Sequence, residues 1–391
     1  MQFLRRFPQR SKHRPTVYSL VDIGRDTVKA LVARVAPETG EVEIIGYGLA
    51  ETGGHDITGG RLEAAAVTAP VNAALTQAED STERIVGHKI VPDDVIFALA
   101  GRATVGKLFT VQQTRPKPHE PITPKELSGL RARAERLVRQ SLASLPVEGG
   151  QWQALAVTDA GIRLDEHLVL EGLGLTGQEV SFSVFGVAAQ AGALRALQVL
   201  ANRLDLEVAN VVAAAQGLAA ITPYAEAIIL DIGLSGTDIC LIRDNALVAA
   251  GSTPFGGAFF TQSLAQAMSL ETTQAEKLKR AWSAGGLPDS EVSQLEGHGR
   301  GGRCRWYDAI MEFLAEVAGE RALPWKIYLT GGGSLLPGLD KLLRSDPAPF
   351  QRAPEVAWLG NQVLTGAKDL TENLDYNLYG LAVSLVVGLP E

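Results

Sequence analysis

One supersecondary unit occurs twice in this chain. Val21-Asp22-Ile23-Gly24-Arg25-Asp26-Thr27-Val28 ends one apolar strand and starts the next, and Leu230-Asp231-Ile232-Gly233-Leu234-Ser235-Gly236-Thr237-Asp238-Ile239 does the same in the second half. Such a repeat constrains the fold more than composition does. Two related halves that each bury a sheet face pack against one another, and the cleft between them is the default place for a ligand.

The pattern around each copy agrees. In the first half strands are expected at Val17 to Ile23, Val28 to Val35 and, after the turn at Thr39-Gly40, Glu41 to Leu49. A helix follows with Leu62, Val67, Val71, Leu75 and Ala78 at helical spacing, then a strand at Val95 to Ala100. In the second half strands are expected at Ala227 to Ile232, Thr237 to Arg243 and Ala246 to Gly251. Between the halves, Gly186 to Leu204 and about Ala209 to Ala220 read as two helices.

The stretch from Pro92 to Val184 breaks this pattern. It is rich in proline and glycine, and Thr123-Pro124-Lys125-Glu126 announces a helix start: Thr at the N-cap, Pro at the first helical position, Glu three residues on. Short strands at Trp152 to Val157 and Glu179 to Phe185 complete what reads as an inserted α+β subdomain. The expected division is a basic arm (1–15), a first lobe (16–91, 185–226 and 375–391), the insert (92–184), a second lobe (227–265 and 324–374) and a small helical subdomain within it (266–323).

A length of 391 residues suits two or three domains with full cores. With only Cys240 and Cys304, a disulfide framework is excluded, and a reducing cytoplasm is the expected compartment. The net charge is −8, but Arg5, Arg6, Arg10, Lys12 and Arg14 stand in the first fourteen residues without an acid, leaving about −13 for the remainder. A body of that sign repels a phosphate backbone, so no nucleic-acid partner is expected. The apolar runs near Val208 to Ile221 and Leu378 to Leu389 are too short or too interrupted to span a bilayer, and residues 1–14 lack the apolar core of a secretory signal.

Each Asp-Ile-Gly ends a strand at a tight turn, where backbone N–H groups form a nest for an anion. Two nests facing one cleft suit a polyphosphate, and Asp22 and Asp231 at their mouths suit a Mg2+ ion held directly or through water. Plain hairpin turns are the alternative. A third element, Tyr328-Leu329-Thr330-Gly331-Gly332-Gly333-Ser334-Leu335-Leu336-Pro337-Gly338-Leu339, is a strand running into three glycines and a helix start, where backbone lies open to close approach by a phosphate or nucleoside.

These three motifs, in this order, resemble the actin, hexokinase and Hsp70 superfamily. Asp22 to Lys29 looks like its first phosphate loop, Asp231 to Asp238 its second, and Thr330 to Gly338 its adenosine loop. The insert, with Ile122-Thr123-Pro124 and Gly161 to Gly174, is similar in placement to the extra SHS2-type domain of the bacterial cell-division FtsA family, with PilM of type IV pili as a close relative. The resemblance implies an α/β, actin-like (ribonuclease H-like) duplicated fold of two lobes around a nucleotide cleft, with ATP and Mg2+ as cofactors. It implies metal-side carboxylates at Asp22 and Asp231, a phosphate contact at Lys29, and a cradle formed by Gly24, Gly233, Ser235, Gly236, Thr237, Gly331, Gly332, Gly333 and Ser334. Gln216 is expected to orient an attacking water, with Asp231 as its catalytic companion. Glu276, Lys279 and Arg280 resemble the helix that contacts ribose and base, although Thr273-Gln274-Ala275-Glu276 is also a capping box, and Gly256-Gly257 resembles the paired glycine beside the nucleotide, although it reads equally as a turn opening a helix.

Both phosphate loops depart from the family. Arg25-Asp26 stands where small hydroxyl or glycine residues are usual, and Leu234-Ser235 replaces two glycines. A carboxylate about 6 Å from a phosphate charge costs about 3 kcal/mol per charge pair at an effective dielectric near 20, so Asp26 must point away or be offset by Arg25, Lys29 or the metal. Binding tolerates such changes better than hydrolysis does, so at most a slow ATPase is expected.

By resemblance the protein self-associates and meets a tubulin-like division protein and other division proteins at the inner face of the membrane. The alternatives are a PilM-like cytoplasmic scaffold for a pilus or secretion assembly and a small-molecule kinase of the same superfamily. The family usually ends in a linker and an amphipathic helix. Here the sequence ends at Leu389-Pro390-Glu391 after an apolar helix, Leu378 to Val387, expected to pack against the first half. The basic arm reads either as a solvated tail or as a weak peripheral membrane contact through residues 1–7, where Phe3, Leu4 and Phe7 flank Arg5 and Arg6.

Overall fold

In the computed structural model, residues 16–36, 39–55, 64–146, 151–360 and 366–389 are described. The basic arm, and with it the membrane contact expected of residues 1–7, lies outside them, as do Leu62 and the last two residues.

The first lobe opens with β1 (Thr16–Ile23), β2 (Thr27–Val35) and β3 (Val42–Glu51), a meander in which each strand pairs antiparallel with the next. The helix α1 (Ala64–Val86) packs on it, and β4 (Asp94–Leu99) lies parallel to β1 on the other side. The insert comprises β5 (Thr104–Thr114), α2 (Pro124–Ala143), β6 (Trp152–Leu164), β7 (His167–Val169) and β8 (Glu179–Gln190). The chain then forms α3 (Ala191–Arg203), β9 (Glu207–Ala213) parallel to β4, and α4 (Ala214–Ala220).

The second lobe repeats the plan with β10 (Ala227–Ile232), β11 (Thr237–Arg243) and β12 (Ala246–Thr253). Three helices, α5 (Gly257–Met268), α6 (Thr272–Ser283) and α7 (Asp289–Ala318), precede β13 (Lys326–Thr330), α8 (Leu339–Leu343) and β14 (Glu355–Trp358). The two-residue β15 (Lys368–Asp369) returns to the edge of β3, and α9 (Tyr376–Ser384) closes the described chain with a last 3-10 turn.

The duplication is visible in the strand orders. One sheet reads β3-β2-β1-β4-β9 and the other β12-β11-β10-β13-β14, each a meander joined through its first strand to two parallel strands. Successive side chains of a strand point to opposite faces, so one strand serves two cores. Leu20 faces the layer between the sheets and Val21 the outer layer with Val67, Val71 and Leu197. Ile229 and Tyr328 meet Leu218 and Leu385 between the sheets, whereas Ile228 and Leu230 turn outward to Phe260, Trp306 and Leu339. The layers therefore run α1/α3, first sheet, α4/α9, second sheet, α5 to α8. Burial on both faces explains why these strands read as continuous apolar runs.

Several expectations need correction. The insert does not start at residue 92: β4 is a strand of the first sheet, and the strands of the insert run from Thr104 to Gln190. The strand expected to end at Phe185 continues to Gln190, which shortens the following helix to Ala191–Arg203. The helix expected from Ala209 is half strand, because Val208, Val211 and Val212 extend beside β4 and only Ala214–Ala220 coils. Thr123 does cap α2, accepting from the Glu126 amide at 3.3 Å, but the Glu126 carboxylate binds Arg115 at 2.7 Å rather than closing the box.

The insert is also tied to the second lobe. Its β5 pairs with β12 at Lys107 opposite Ala249 and Gly106 opposite Ala250, so a nine-stranded sheet runs from β14 to β7. A segment that leaves the first lobe in sequence thus bridges to the second in space.

Candidate functional site

The C-terminal ends of β1, β10 and β13 converge on one cleft of about 760 Å3 between the sheets. Two four-residue turns face it. Gly24 N donates to Thr27 O at 3.0 Å in the first, and Gly233 N donates to Gly236 O at 2.9 Å in the second. The register before each turn is the same: Asp22 opposes Lys29, and Asp231 opposes Asp238. Lys29 of the first half is therefore replaced in the second by a carboxylate.

That replacement sets the electrostatics of the floor. Lys29 Nζ reaches Asp22 Oδ2 at 3.1 Å, one cation for three acids. Burial, then Asp238 and Asp22, push the Asp231 carboxyl up to about 7, with Lys29 opposing. Burial likewise raises Asp238 to about 6, against the Gly101 amide that donates to it at 3.0 Å. A site that holds protons on carboxylates near neutral pH is one where a divalent cation gains by replacing them. Asp22, Asp231 and Asp238 thus fit Mg2+ chemically, although among the described residues no three His, Cys, Asp or Glu side chains already converge in a metal-ligand cluster.

Asp238 was missed as a separate ligand candidate in the sequence. The signal was present, since it stands seven residues after Asp231 as Lys29 does after Asp22. Its contact with Gly101, at the end of β4, also links the second lobe to the first.

The glycines divide by role. A Cβ on Gly331, whose φ is +81°, would lie 2.3 Å from Asp231 Oδ1, and one on Gly333 would lie 2.6 Å from Ile232 Cγ2. A Cβ on Gly256 would meet Gly233 O at 2.5 Å, so Gly256 holds the second turn against α5 rather than clearing space for a ligand. Gly332 faces open space in the cleft, with Gly24, Gly233, Ser235, Gly236 and Gly257 also along its wall.

Thr237 and Ser334 do not line the cleft. The Thr237 hydroxyl is buried, donating to Phe255 O at 2.7 Å and accepting from Trp306 Nε1 at 2.9 Å. Ser334 is buried behind the glycine loop, where its carbonyl accepts from Trp358 Nε1 at 3.2 Å. Gln216 is not brought to the cleft either: Nε2 donates to Thr158 Oγ1 of β6 at 2.9 Å, joining α4 to the insert. The water-orienting role expected of it has no support in this geometry.

Glu276, Lys279 and Arg280 do line the cleft, but as a network. The helix α6 begins at Thr272 with Glu271 at its N-cap, so Thr273 is inside the helix and the expected capping box does not form. Glu276 instead accepts from Lys279 at 2.8 Å, from Arg280 at 2.7 Å and from the Thr261 hydroxyl. Burial alone would raise its carboxyl, yet these bonds hold it at about 2. Lys279, 8% exposed, also donates to Gly257 O at 2.9 Å and Thr261 Oγ1 at 2.8 Å, which leaves no ammonium proton without an acceptor. Asp26 is offset by Arg280 at 2.9 Å, and not by Arg25, which donates to Gly54 O.

Sheet order, facing turns and glycine loop together define an actin-like protein with a two-lobed cleft. Comparison with known proteins agrees: a chain of the PilM-PilN type IV pilus biogenesis complex superposes with a TM-score of 0.65 at 19% identity, covering 96% of this chain and 99% of that one. A glycerol dehydratase reactivase follows at 0.52 and 12%, covering 95% and 99%, and the ethanolamine utilization protein EutJ from Carboxydothermus hydrogenoformans at 0.50 and 14%, covering 96% and 89%. Within that class the family model Cell division protein FtsA matches residues 228–382 of the chain. The FtsA of Rhizobium meliloti (strain 1021) is 26% identical over 295 residues, 71% of this chain and 61% of the relative. The FtsA of Agrobacterium fabrum (strain C58 / ATCC 33970) is 24% identical over 288 residues, 69% and 60%. The FtsA resemblance and the actin-like fold read from the sequence are borne out, and the chain spans about three fifths of the length of these relatives.

Proposed function

We propose that the cleft binds ATP with Mg2+ and that the bound state governs self-association and contact with division proteins near the membrane, as in an FtsA-type protein. The observation that carries this reading is the pair of hairpins facing one cleft, with Asp22, Asp231 and Asp238 on its floor. These carboxylates would hold the metal, which when bound supplies charge neutralisation to the phosphates. Lys29 adds a cation beside them, and the two turns, whose Gly24 and Gly233 amides bond within the turn, would offer their remaining backbone amides to the anion. With Gln216 engaged by Thr158, the residue expected to orient an attacking water stands away from the cleft in this conformation, which favours a binding protein or a slow ATPase.

Calorimetry with ATP, with and without Mg2+, on the wild type and on Asp231→Ala tests the reading, with phosphate release followed in parallel. Micromolar binding that requires Mg2+ and vanishes in the variant supports it. No binding at millimolar ATP would show that the fold serves as a scaffold without nucleotide.

A PilM-like assembly scaffold is the second reading. It is favoured by the near-complete overlap with the PilM-PilN chain, including the insert, and by the bridge that β5 makes to β12. Co-purification of a pilus-assembly protein instead of a division protein, lost when the insert is altered at Thr158, would select it.

A further inference from the structure

We propose that the outer face of α2 is a docking surface for an anionic phospholipid bilayer, held through Lys125, Arg133, Arg136 and Arg139. The proposal gives a site to the membrane part of the reading above and draws nothing from the nucleotide cleft.

The charge of α2 runs against that of the chain. Over Pro124–Ala143 stand Lys125, Arg131, Arg133, Arg136 and Arg139 against Glu126 and Glu135, in a protein of net charge −8. The buried stripe of the helix is Leu130, Ala134, Val138 and Leu142, which pack on the sheet of the insert with Phe109, Phe182 and Val184. Successive helical residues turn by about 100°, so the side opposite that stripe carries Lys125, Arg133, Arg136 and Arg139, all exposed, and no carboxylate.

Both acids of the helix are drawn to its flanks. Glu126 binds the buried Arg115 at 2.7 Å, and Glu135 lies between Arg131 at 3.4 Å and Arg139 at 3.2 Å. Asp159 of β6 approaches the same flank and pairs with Arg131 at 3.4 Å. Arg133 meets the neutral amide of Gln113 at 2.8 Å, and Lys125 and Arg136 have no ion pair among the described residues. The ridge therefore keeps its positive charge where a partner meets it.

A flat anionic surface fits this face better than a protein or a polynucleotide does. The four cations run along about 21 Å of one convex ridge, at about 1.5 Å per residue. Between them Gly129 opens on empty space, so no apolar side chain anchors the centre as in a protein interface. Leu137, 37% exposed, stands one turn from Arg133 at the edge of the ridge, an apolar neighbour suited to lipid and not to a phosphate backbone. The rest of the chain is acidic, so an anionic plane repels it while attracting the ridge, which orients the protein with α2 toward the bilayer. A polyanion that reaches around the body meets that repulsion on more than one side.

The test uses the full chain and vesicles of phosphatidylglycerol and phosphatidylcholine, with pure phosphatidylcholine as the neutral surface. The wild type should sediment with the anionic vesicles, less so as salt rises, and not with the neutral ones. One cation at such a surface is worth about fivefold in affinity, so Lys125→Gln, Arg133→Gln and Arg136→Gln together should weaken binding by about tenfold or more. Glutamine suits a helix, and an unchanged urea midpoint shows that the variant is folded. Two triple variants with the same change in net charge are compared: Lys277→Gln, Arg300→Gln and Lys341→Gln at exposed positions of the second lobe, and Arg5→Gln, Arg6→Gln and Arg10→Gln in the basic arm. Losses of about threefold or less in both support the assignment. Equal losses in all three variants would overturn it, since net charge alone would then decide. A loss confined to the arm variant would overturn α2 as the site and keep the membrane reading, whereas no binding by the wild type would overturn both. Tighter binding to a duplex DNA than to the vesicles, lost in the α2 variant, would overturn the bilayer as the occupant. ATP calorimetry is read separately and is indifferent to each of these results.

Discussion

Asp231 on β10 and Asp238 on β11 are directly opposed across the strand pair, two like charges in a register that ordinarily joins compatible side chains. Burial, with repulsion from Asp238 and Asp22, raises Asp231 to about 7, and burial with repulsion from Asp22 raises Asp238 to about 6, from an ordinary 3.8. Their folded forms therefore bind protons that the unfolded chain has released, so this pair loses stability as pH rises from about 4 to about 7. Thermal unfolding without metal should show a midpoint falling between pH 5 and 8, with a shallower fall in Asp238→Asn. Added Mg2+ should raise the midpoint more at pH 8 than at pH 5, since it replaces those protons. A Mg2+ effect that is larger at pH 5 would contradict the assignment.

Gly331 and Gly332 are neighbours with opposite tolerances. Gly331→Ala places a methyl against Asp231 in a left-handed backbone conformation, and a loss of about 2 kcal/mol or more is expected. Gly332→Ala faces open space and should change stability by less than about 0.5 kcal/mol while weakening any ligand that approaches that backbone. Urea unfolding of the two variants separates them.

Thr237 holds two buried partners at once, Phe255 O and Trp306 Nε1. Thr237→Val keeps the shape and strands both, at a cost of about 2 kcal/mol from unpaired buried groups. Urea unfolding should show that loss, with the Trp306 fluorescence altered in the folded state. A variant as stable as the wild type would mean that neither bond is maintained in solution.

Gln216→Ala should leave affinity for Mg2+ and ATP within about twofold, because its amide is engaged by Thr158 and not by the cleft. Calorimetry on that variant beside Asp231→Ala checks this, and a loss comparable to that of Asp231→Ala would return Gln216 to the site.

The parts legible in the sequence were those encoded over a few neighbouring residues. The hairpins at Gly24 and Gly233, the Thr123 cap of α2 and the glycines at 331–333 depend on local backbone preference, and each element appears where it was expected. Misreadings fell where a distant strand or side chain decided. Val208 to Val212 has apolar residues enough for either a helix or a strand, and only β4 beside it makes it a strand. Glu276 looked capped by its own helix, but Thr261 and Lys279 arrive from outside the capping turn.

Duplication, the two-lobed class and the residues at each turn were thus determined by the sequence alone, because hydrophobic period and turn chemistry act within a strand or two. Tertiary structure decided what those residues face. It set Asp238 against Asp231, sent Gln216 to the insert, joined Asp26 to Arg280 across the cleft and extended the second sheet through β5. Charge interactions depend on separation in space, and residues 254 positions apart in the chain acquire that separation only when both lobes are packed.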